Sequence, residues 1–396
     1  MRILNNPCWL VEACINAVGA FKPVSSLISF LVTILLLTAT SSTSVCAQSA
    51  KNNNAEPSKS PLRWSALPAI PNSLGVAGPV AGVSNSALIV GGGANFPSAP
   101  PWQGGTKVWH DKVYVLESIN ALTWIDADRL PRPLGYSVCI TLPEGLNVPA
   151  GAACLGGSDS RQHYRDCFLM RWTDGKMSYE ALPPLPSPCA NASGALAGSV
   201  VYIAGGLSEP SDTEAMHTFW AMDLKSKPLV WKILPAWPGP ARMLAAMVAV
   251  NDTVYLCSGA KLMAGSDGKA VREYLTDGYA YHPKSGWAKL PQAPRAAVAA
   301  TVLPSGKSDF LILGGDDGSL VNFQPPEQHP GFPKSALRYS IPEKSWKTIE
   351  NTLPESHVTT TIVPWNGKYV IPSGEVRPGV RSPKVWQIEI EAESAQ

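Results

Sequence analysis

Six short units constrain the fold of this 396-residue chain more than any other feature. Each is a strand, a turn and a second strand that ends in a glycine pair or a close variant of one. The second strands read LIVGG at 88–92, ACLGG at 153–157, YIAGG at 202–206, YLCSG at 255–259, LILGG at 311–315 and YVIPSG at 369–374. Successive pairs lie about 50 to 65 residues apart, a period typical of four-stranded propeller blades. Glycine pairs permit a positive φ or a close backbone approach where a strand turns at the inner part of a blade. The sequence therefore predicts an all-β chain with six repeated blades.

An aromatic fourth strand follows most of these units. After each glycine pair come an irregular loop, a third strand and then a segment with an aromatic residue. The tryptophans of these segments recur in register, which favours packing between blades; they are Trp64, Trp124, Trp231, Trp287 and Trp346. This succession is the pattern of kelch repeats, and the chain resembles kelch proteins over the whole length of the mature protein.

The number of strands also predicts how the ring of blades closes. The sixth unit ends after its third strand, near Glu391, while an unpaired LRWSALP segment stands at 62–68 before the first unit. Since exposed sheet edges must be covered, we expect this N-terminal strand to complete the last blade. The prediction is one six-bladed kelch-type β-propeller over residues 64–391, followed by a tail at 392–396.

The N-terminus is typical of a secretory signal peptide. An apolar run at 27–40 follows Arg2 and Lys22 and precedes small residues, which predicts cleavage after Ala47. Residues 48–63 are then a flexible leader, and the mature protein is secreted or periplasmic. The run is short for a membrane span, so no stable span is expected after cleavage. An uncleaved anchor and a lipoprotein at Cys46 remain alternatives.

The net charge of the chain bears on which partners it binds. The formal net charge is only +2, which gives no reason to expect nucleic acid as a partner.

Five cysteines follow the predicted cleavage point: Cys139, Cys154, Cys167, Cys189 and Cys257. We expect mostly small buried hydrophobic residues, although Cys139, Cys154 and Cys167 would lie on neighbouring strands, where a disulfide could form.

Two groups of polar residues should meet at one mouth of the central channel, because the start of a first strand and the end of a second strand lie at the same end of a hairpin. The residues before the innermost strands are Arg132, Arg242, Arg295 and His357, and those after the glycine pairs are Asn95, Asp159, Asp316 and Glu375. Several arginines beside carboxylates suit an anionic, hydroxyl-rich ligand. Alternatively, the arginines tie neighbouring blades together through loop carbonyls.

The segment GEVRPGVR at 374–381 carries the most specific chemistry. Pro378 and Gly379 predict a turn that brings Glu375 and Arg381 together. Glu375 could then act as a general base, while Arg381 binds a substrate carboxylate. A surface turn with an ion pair would have the same sequence.

This segment resembles the GE…PG.R motif of the N-acetylneuraminate epimerases, which are kelch-propeller mutarotases of sialic acid. Residues 74–97 and 101–117 are similar to the cyclically permuted members of that family. The resemblance implies an isomerase that interconverts the anomers of N-acetylneuraminate, or of a related acidic sugar, without metal or cofactor. It assigns proton abstraction to Glu375 and substrate binding to Arg381.

Further residues carry less definite assignments under the same resemblance. Arg242 or Arg295 would help to hold the substrate carboxylate, Arg132 belongs to the same mouth, and Asn95 and Lys107 match a segment expected near it without a defined role. Asn191 stands where other blades have arginine, which leaves open a sugar other than sialic acid.

Other functions fit the propeller less well. A sialidase would show repeated SxDxGxTW turns, and a kelch-type copper oxidase would need clustered Tyr, His and Cys ligands; neither pattern is present. The main alternative is a non-catalytic glycan- or protein-binding propeller, for which Trp102, Trp109 and Trp365 are candidate platforms.

Overall fold

The computed structural model describes residues 61–391. These residues contain six antiparallel four-stranded sheets. The predicted signal peptide, nearly all of the leader and the C-terminal tail lie outside the described residues. Within residues 61–391 no helix is both long and apolar enough to cross a membrane. The predicted all-β, six-bladed propeller is confirmed.

The blades follow one another along the chain, and each is described from its innermost to its outermost strand. The first three consist of β2 (Val80–Ser84), β3 (Ala87–Gly91), β6 (Lys112–Leu116) and β7 (Ile125–Arg129); β8 (Val138–Leu142), β9 (Gly151–Ser158), β10 (His163–Thr173) and β11 (Lys176–Leu182); and β12 (Ser193–Ala197), β13 (Val200–Ala204), β14 (Phe219–Asp223) and β15 (Lys232–Ile233). The last three consist of β16 (Ala246–Val250), β17 (Thr253–Cys257), β20 (Gly278–His282) and β21 (Gly286–Lys289); β22 (Thr301–Ser305), β23 (Asp309–Leu313), β24 (Ala336–Ser340) and β25 (Ser345–Ile349); and β26 (Val363–Trp365), β27 (Lys368–Pro372), β30 (Val385–Ile390) and β1 (Leu62–Leu67).

Small elements lie in the loops between these strands. Three two-stranded hairpins consist of β4 (Ala94–Asn95) with β5 (Val108–Trp109), β18 (Ala260–Ala264) with β19 (Ala270–Tyr274), and β28 (Glu375–Arg377) with β29 (Val380–Arg381). Two 3₁₀ turns occupy Pro101–Gln103 and Pro326–Gln328.

The N-terminal strand completes the sixth blade, as the sequence predicts. β1 pairs antiparallel with β30, from Leu62 opposite Ile390 to Leu67 opposite Val385. Leu62 and Arg63, which the sequence interpretation placed in the leader, therefore belong to the propeller. Arg63 also forms an ion pair with Glu391 at 2.9 Å.

A closed ring of six backbone hydrogen bonds joins the blades. It runs through the segments that precede the innermost strands, which we call approach segments. In each, one residue has a left-handed φ between 52° and 62° and donates its N–H to the carbonyl of the equivalent residue one blade earlier, at 2.6–3.0 Å. The six residues are Gly78, Tyr136, Asn191, Leu244, Ala299 and Thr359. Since Gly78 donates to Thr359, the same contact that joins consecutive blades also joins the first blade to the last.

The glycine pairs lie directly against this ring. Both residues of each pair have a positive φ, and in the first blade the pair is Gly92–Gly93, one residue later than the sequence repeat suggests. A Cβ on Gly205 would lie 2.1 Å from the carbonyl oxygen of Arg242 in the next approach segment, and one on Gly156 would lie 2.4 Å from that of Cys189. The first glycine is thus required by close contact between blades.

Two blades have serine at this first position, and its hydroxyl replaces the close approach with a hydrogen bond. Oγ of Ser258 accepts from the N–H of Ala297 at 2.7 Å, and Oγ of Ser373 accepts from the N–H of Val76 at 2.8 Å. The second of these bonds lies at the seam between the last blade and the first.

Four of the five recurring tryptophans connect the blades at their outer edges, which confirms their predicted role. Each indole N–H donates to a proline carbonyl just after the outermost strand of the preceding blade, at 2.8–2.9 Å. The pairs are Trp124 with Pro68, Trp231 with Pro183, Trp287 with Pro235 and Trp346 with Pro291. Trp64 instead packs edge-on against Trp386.

The five cysteines are free thiols in this structure, and all but Cys139 are buried. Cys139 and Cys154 lie directly opposite each other on β8 and β9. Burial raises the pKa of the Cys167, Cys189 and Cys257 thiols to about 12, as expected for small hydrophobic core residues.

We predict that Gly205→Ala destabilises the protein far more than Gly198→Ala. Both glycines have a left-handed φ, which costs a residue with a Cβ about 1 kcal/mol, but a Cβ on Gly198 would meet only a side-chain oxygen of Asp252, at 4.0 Å. The clash with the Arg242 carbonyl should raise the loss for Gly205→Ala to about 3 kcal/mol. Urea denaturation measures both values, and equal losses would contradict the role of the glycine in blade contact.

Candidate active site at the channel mouth

A tight hairpin after the innermost pair of the sixth blade places Glu375 opposite Arg381. The two residues are direct partners across β28 and β29. Pro378 and Gly379 form the turn between them, where Gly379 has a φ of 76°, a conformation that glycine adopts without strain. The backbone of Glu375 also exchanges hydrogen bonds with Val358, next to the ring residue Thr359, so the hairpin is fixed to the channel mouth.

Glu375 and Arg381 form a buried ion pair. Nη2 of Arg381 lies 3.7 Å from Oε2 of Glu375, and their side chains are only 2% and 5% exposed, respectively. The N–H of Gly379 donates to Oε1 of Glu375 at 2.8 Å. Nε and Nη1 of Arg381 are buried and have no hydrogen-bond partner among residues 61–391. A buried guanidinium with free donors is suited to bind a carboxylate from a ligand.

Phe96 connects this pair to the loop of the first blade. Its ring centre lies 4.5 Å from Cζ of Arg381 and 5.8 Å from Nζ of Lys107. The two cations therefore cannot be further apart than the sum of these distances. Sequence reasoning did not identify Phe96 as a site residue, because an aromatic residue in a loop has no specific pattern.

Lys107 lies among three aromatic rings. Besides Phe96, its ammonium is 5.5 Å from the ring centre of Trp109 and 5.6 Å from that of Tyr136, distances at which cation–π attraction operates. Tyr136 is the residue through which the second blade joins the ring of six backbone hydrogen bonds, so Lys107 lies at the channel mouth. The formal charges of Glu375, Arg381 and Lys107 sum to +1.

Asn95 is buried and supports the loop. Its Nδ2 donates to the carbonyl of Gly75 at 2.8 Å, and Nε2 of His110 lies 2.8 Å from its Oδ1. Asn95 therefore holds the β4–β5 hairpin against the approach segment of the first blade.

The three predicted arginines use their donors within their own blades. Arg242 is fully buried and donates to the carbonyl of Ser258 and to Oδ2 of Asp277, both at 2.8 Å. Arg295 donates to three carbonyls, those of Ala296, Gly314 and Ser335, at 2.9, 2.9 and 3.0 Å, and its buried Nε has no hydrogen-bond partner among residues 61–391.

Arg132 is partly exposed. It pairs with Asp166 at 2.6 Å and lies over the ring of Tyr164 at 4.2 Å. None of the three arginines contacts Glu375 or Arg381 through these bonds. They connect parts of a single blade, whereas the alternative interpretation of the sequence predicted connections between neighbouring blades.

The interpretation of Asn191 is corrected by the register of the approach segments. The bridges Ala190–Leu207 and Met243–Ala260 are equivalent, so the residue that corresponds to Arg242 is Cys189. Asn191 corresponds to Leu244 in the ring of hydrogen bonds. It does not replace an arginine.

The same register shows which blade positions correspond to Glu375. Val358 bridges to Glu375 and Val298 bridges to Asp316 in the neighbouring blade. The remaining four positions, taken from the equivalent bridges, are Ala94, Ser158, Leu207 and Ala260. Asp316 accepts from the hydroxyl of Tyr274 and the N–H of Gly318, both at 3.0 Å, while burial raises its pKa. The acidic positions are therefore confined to two adjacent blades.

A second polar cluster lies next to the β28–β29 hairpin. Nε2 of His357 lies 2.9 Å from Oε2 of Glu355, and the hydroxyl of Ser382, next to Arg381, donates to the same oxygen at 3.2 Å. The hydrogen bond with His357 lowers the pKa of Glu355 to about 2, helped by nearby Lys384 and opposed by burial.

Of the three candidate platform tryptophans, Trp365 lies in the core. It is only 2% exposed, and its indole N–H donates to the carbonyl of Ser86. It is therefore unavailable as a platform.

Comparison with known proteins identifies relatives of this chain. A family model described as N-acetylneuraminate epimerase matches residues 182–325. This chain is similar to N-acetylneuraminate epimerases. The protein of that name from Haemophilus influenzae (strain PittEE) is 27% identical over 244 residues, or 55% of this chain and 61% of the relative. The one from Salmonella enteritidis PT4 (strain P125109) is 23% identical over 230 residues, or 52% of this chain and 57% of the relative.

The resemblance to N-acetylneuraminate epimerases inferred from the sequence is thereby confirmed over about half of the chain. The chain spans about three fifths of the length of these N-acetylneuraminate epimerases. The match to the family model covers the third and fourth blades and part of the fifth, and it ends before Glu375 and Arg381.

We predict that Glu355 stabilises the fold at neutral pH. Since its folded-state pKa of about 2 is below the ordinary value of 4.5, its contribution is present above pH 4.5 and is lost as the pH falls towards 2. Glu355→Gln should lower the thermal midpoint at pH 7, and the difference from wild type should shrink over that range. Glu350→Gln, at an exposed position, is the control. A difference independent of pH would contradict the assignment.

Proposed function

We propose that this protein is a sugar isomerase of the mutarotase type that interconverts the anomers of N-acetylneuraminate or a related sugar acid. The observation that carries the proposal is the buried Glu375–Arg381 pair, in which the guanidinium retains two unpartnered donors. Similarity to N-acetylneuraminate epimerases supports it independently.

In the proposed reaction, Glu375 removes the proton from the anomeric hydroxyl. The bond between the anomeric carbon and the ring oxygen breaks, and the ring oxygen takes up a proton from an acid or from water, which gives the open-chain carbonyl form. Rotation followed by the reverse steps yields the other anomer. A positioned base of this kind contributes about 10²–10⁴-fold to a proton transfer.

Substrate binding is assigned to Arg381 and Lys107. The free Nε and Nη1 of Arg381 would pair with the sugar carboxylate, since guanidinium and carboxylate match in geometry. The net +1 of Lys107, Arg381 and Glu375 together is neutralised by one sugar monoacid. Arg242 takes no direct part in this proposal, because all three nitrogens of its guanidinium donate to protein acceptors. Arg132 and Arg295 also take no direct part, because their bonds go to Asp166 and to loop carbonyls rather than to the buried ion pair.

The proposed location follows from the N-terminal sequence. Cleavage after about Ala47 would release the propeller to the periplasm or the exterior, where it would meet free sugar acids.

We predict that wild-type protein accelerates the equilibration of freshly dissolved α-N-acetylneuraminate and that Glu375→Gln abolishes the acceleration. Glutamine keeps the size of the side chain and can still accept from Gly379, but it cannot take the proton. Proton NMR of the two anomers, compared with a protein-free blank, measures the rate. Loss of at least 10²-fold is expected.

Two further variants give the test its controls. Glu180→Gln changes an exposed glutamate on β11 and should leave the rate unchanged. Arg381→Met should weaken binding as well as the rate. Full activity in folded Glu375→Gln would refute the base assignment, and a wild-type rate equal to the blank would refute mutarotation of this sugar.

A further inference from the structure

Unpartnered hydrogen-bond donors collect beside Phe96. Nε1 of Trp109 and the hydroxyl of Tyr136 are buried without a hydrogen-bond partner among residues 61–391. Lys107, whose ammonium lies near both rings, forms no hydrogen bond or ion pair with the described part of the chain. Buried tyrosine and tryptophan usually find a polar partner, so three free donors in one cluster indicate a ligand that supplies oxygen acceptors.

The cluster belongs to the same mouth as the ion pair. Trp109 lies opposite Ala94 in the β4–β5 hairpin, and its ring centre is 6.3 Å from that of Tyr136. Phe96 contacts Lys107 and Arg381. A single sugar can therefore contact Arg381 and, past Phe96, the donors of Lys107, Trp109 and Tyr136.

The lining combines donors with apolar surface. Three aromatic rings surround the one ammonium group, which is too little positive charge for a phosphate and more apolar surface than a bare hydroxyl needs. An acylamide fits this combination, because its carbonyl oxygen accepts hydrogen bonds while its methyl group packs on aromatic rings.

We propose that Lys107, Trp109 and Tyr136 form a specificity subsite for the acylamido substituent of the sugar acid. This inference rests on the proposed function, which places the carboxylate on Arg381 and the anomeric hydroxyl at Glu375. The acylamide oxygen then accepts from the Tyr136 hydroxyl and from Nε1 of Trp109, with the Lys107 ammonium beside it.

The test compares N-acetylneuraminate with the analogue in which a hydroxyl replaces the acylamide. For wild type we expect a KM at least tenfold lower for the acylamido acid, since one good hydrogen bond contributes about tenfold. Tyr136→Phe and Trp109→Phe should each raise that KM about tenfold, with kcat unchanged and with no effect on the KM of the hydroxyl analogue.

Matched controls separate this role from a structural one. Tyr179 and Trp386 also carry a buried, unpartnered hydroxyl and indole nitrogen, but on β11 and β30 rather than in the cluster. Tyr179→Phe and Trp386→Phe should leave both KM values unchanged. Equal KM values for the two sugars in wild type, or no change in folded Tyr136→Phe and Trp109→Phe, would overturn the subsite.

Calorimetric titration distinguishes failure of the subsite from failure of the catalytic proposal. If wild type does not accelerate mutarotation yet binds the acylamido acid more tightly than the analogue, and Tyr136→Phe removes the difference, the subsite stands and the catalytic proposal falls. If wild type binds neither sugar, both proposals fall.

Discussion

The ring of six backbone hydrogen bonds is the constraint on which the rest of this propeller depends. It requires a left-handed residue in every approach segment, a conformation that costs most residues about 1 kcal/mol or more. Five of the six positions hold a residue other than glycine, so closure of the ring offsets that cost. Because every blade joins the ring in the same way, equivalent residues of different blades face the same mouth. Chemistry then depends on which blade departs from the common pattern.

The sixth blade departs most. At the position after the glycine pair, four blades carry small or apolar residues, while the fifth and sixth carry Asp316 and Glu375. Only at Glu375 does a short hairpin return an arginine to the carboxylate. The first blade supplies Phe96 and Lys107 from its own long loop. The candidate site thus lies at the seam between the last blade and the first, which β1 and Ser373 hold closed.

Much of this architecture could be predicted from sequence because it repeats. The six glycine pairs gave the blade count, the unpaired N-terminal strand gave the closure, and the recurring tryptophans marked the contacts between blades. Glu375 and Arg381 were identifiable because a Pro-Gly turn separates them within one short segment.

The other features depend on register and contact. The shift of Asn191 relative to Arg242 became visible only through the bridges of the approach segments, since loops of different length hide a two-residue offset. Arg242 and Arg295 looked like ligand residues because a sequence does not show that nearby carbonyls occupy them. Phe96 and Tyr136 come from separate loops and meet only in the folded chain.

A crystal structure of the protein with bound N-acetylneuraminate tests the central claim most directly. We predict the sugar at the mouth of the propeller, with its carboxylate on Nε and Nη1 of Arg381 and its anomeric oxygen within hydrogen-bond distance of Glu375. A sugar bound at another part of the propeller, or one whose anomeric oxygen faces away from Glu375, would contradict it.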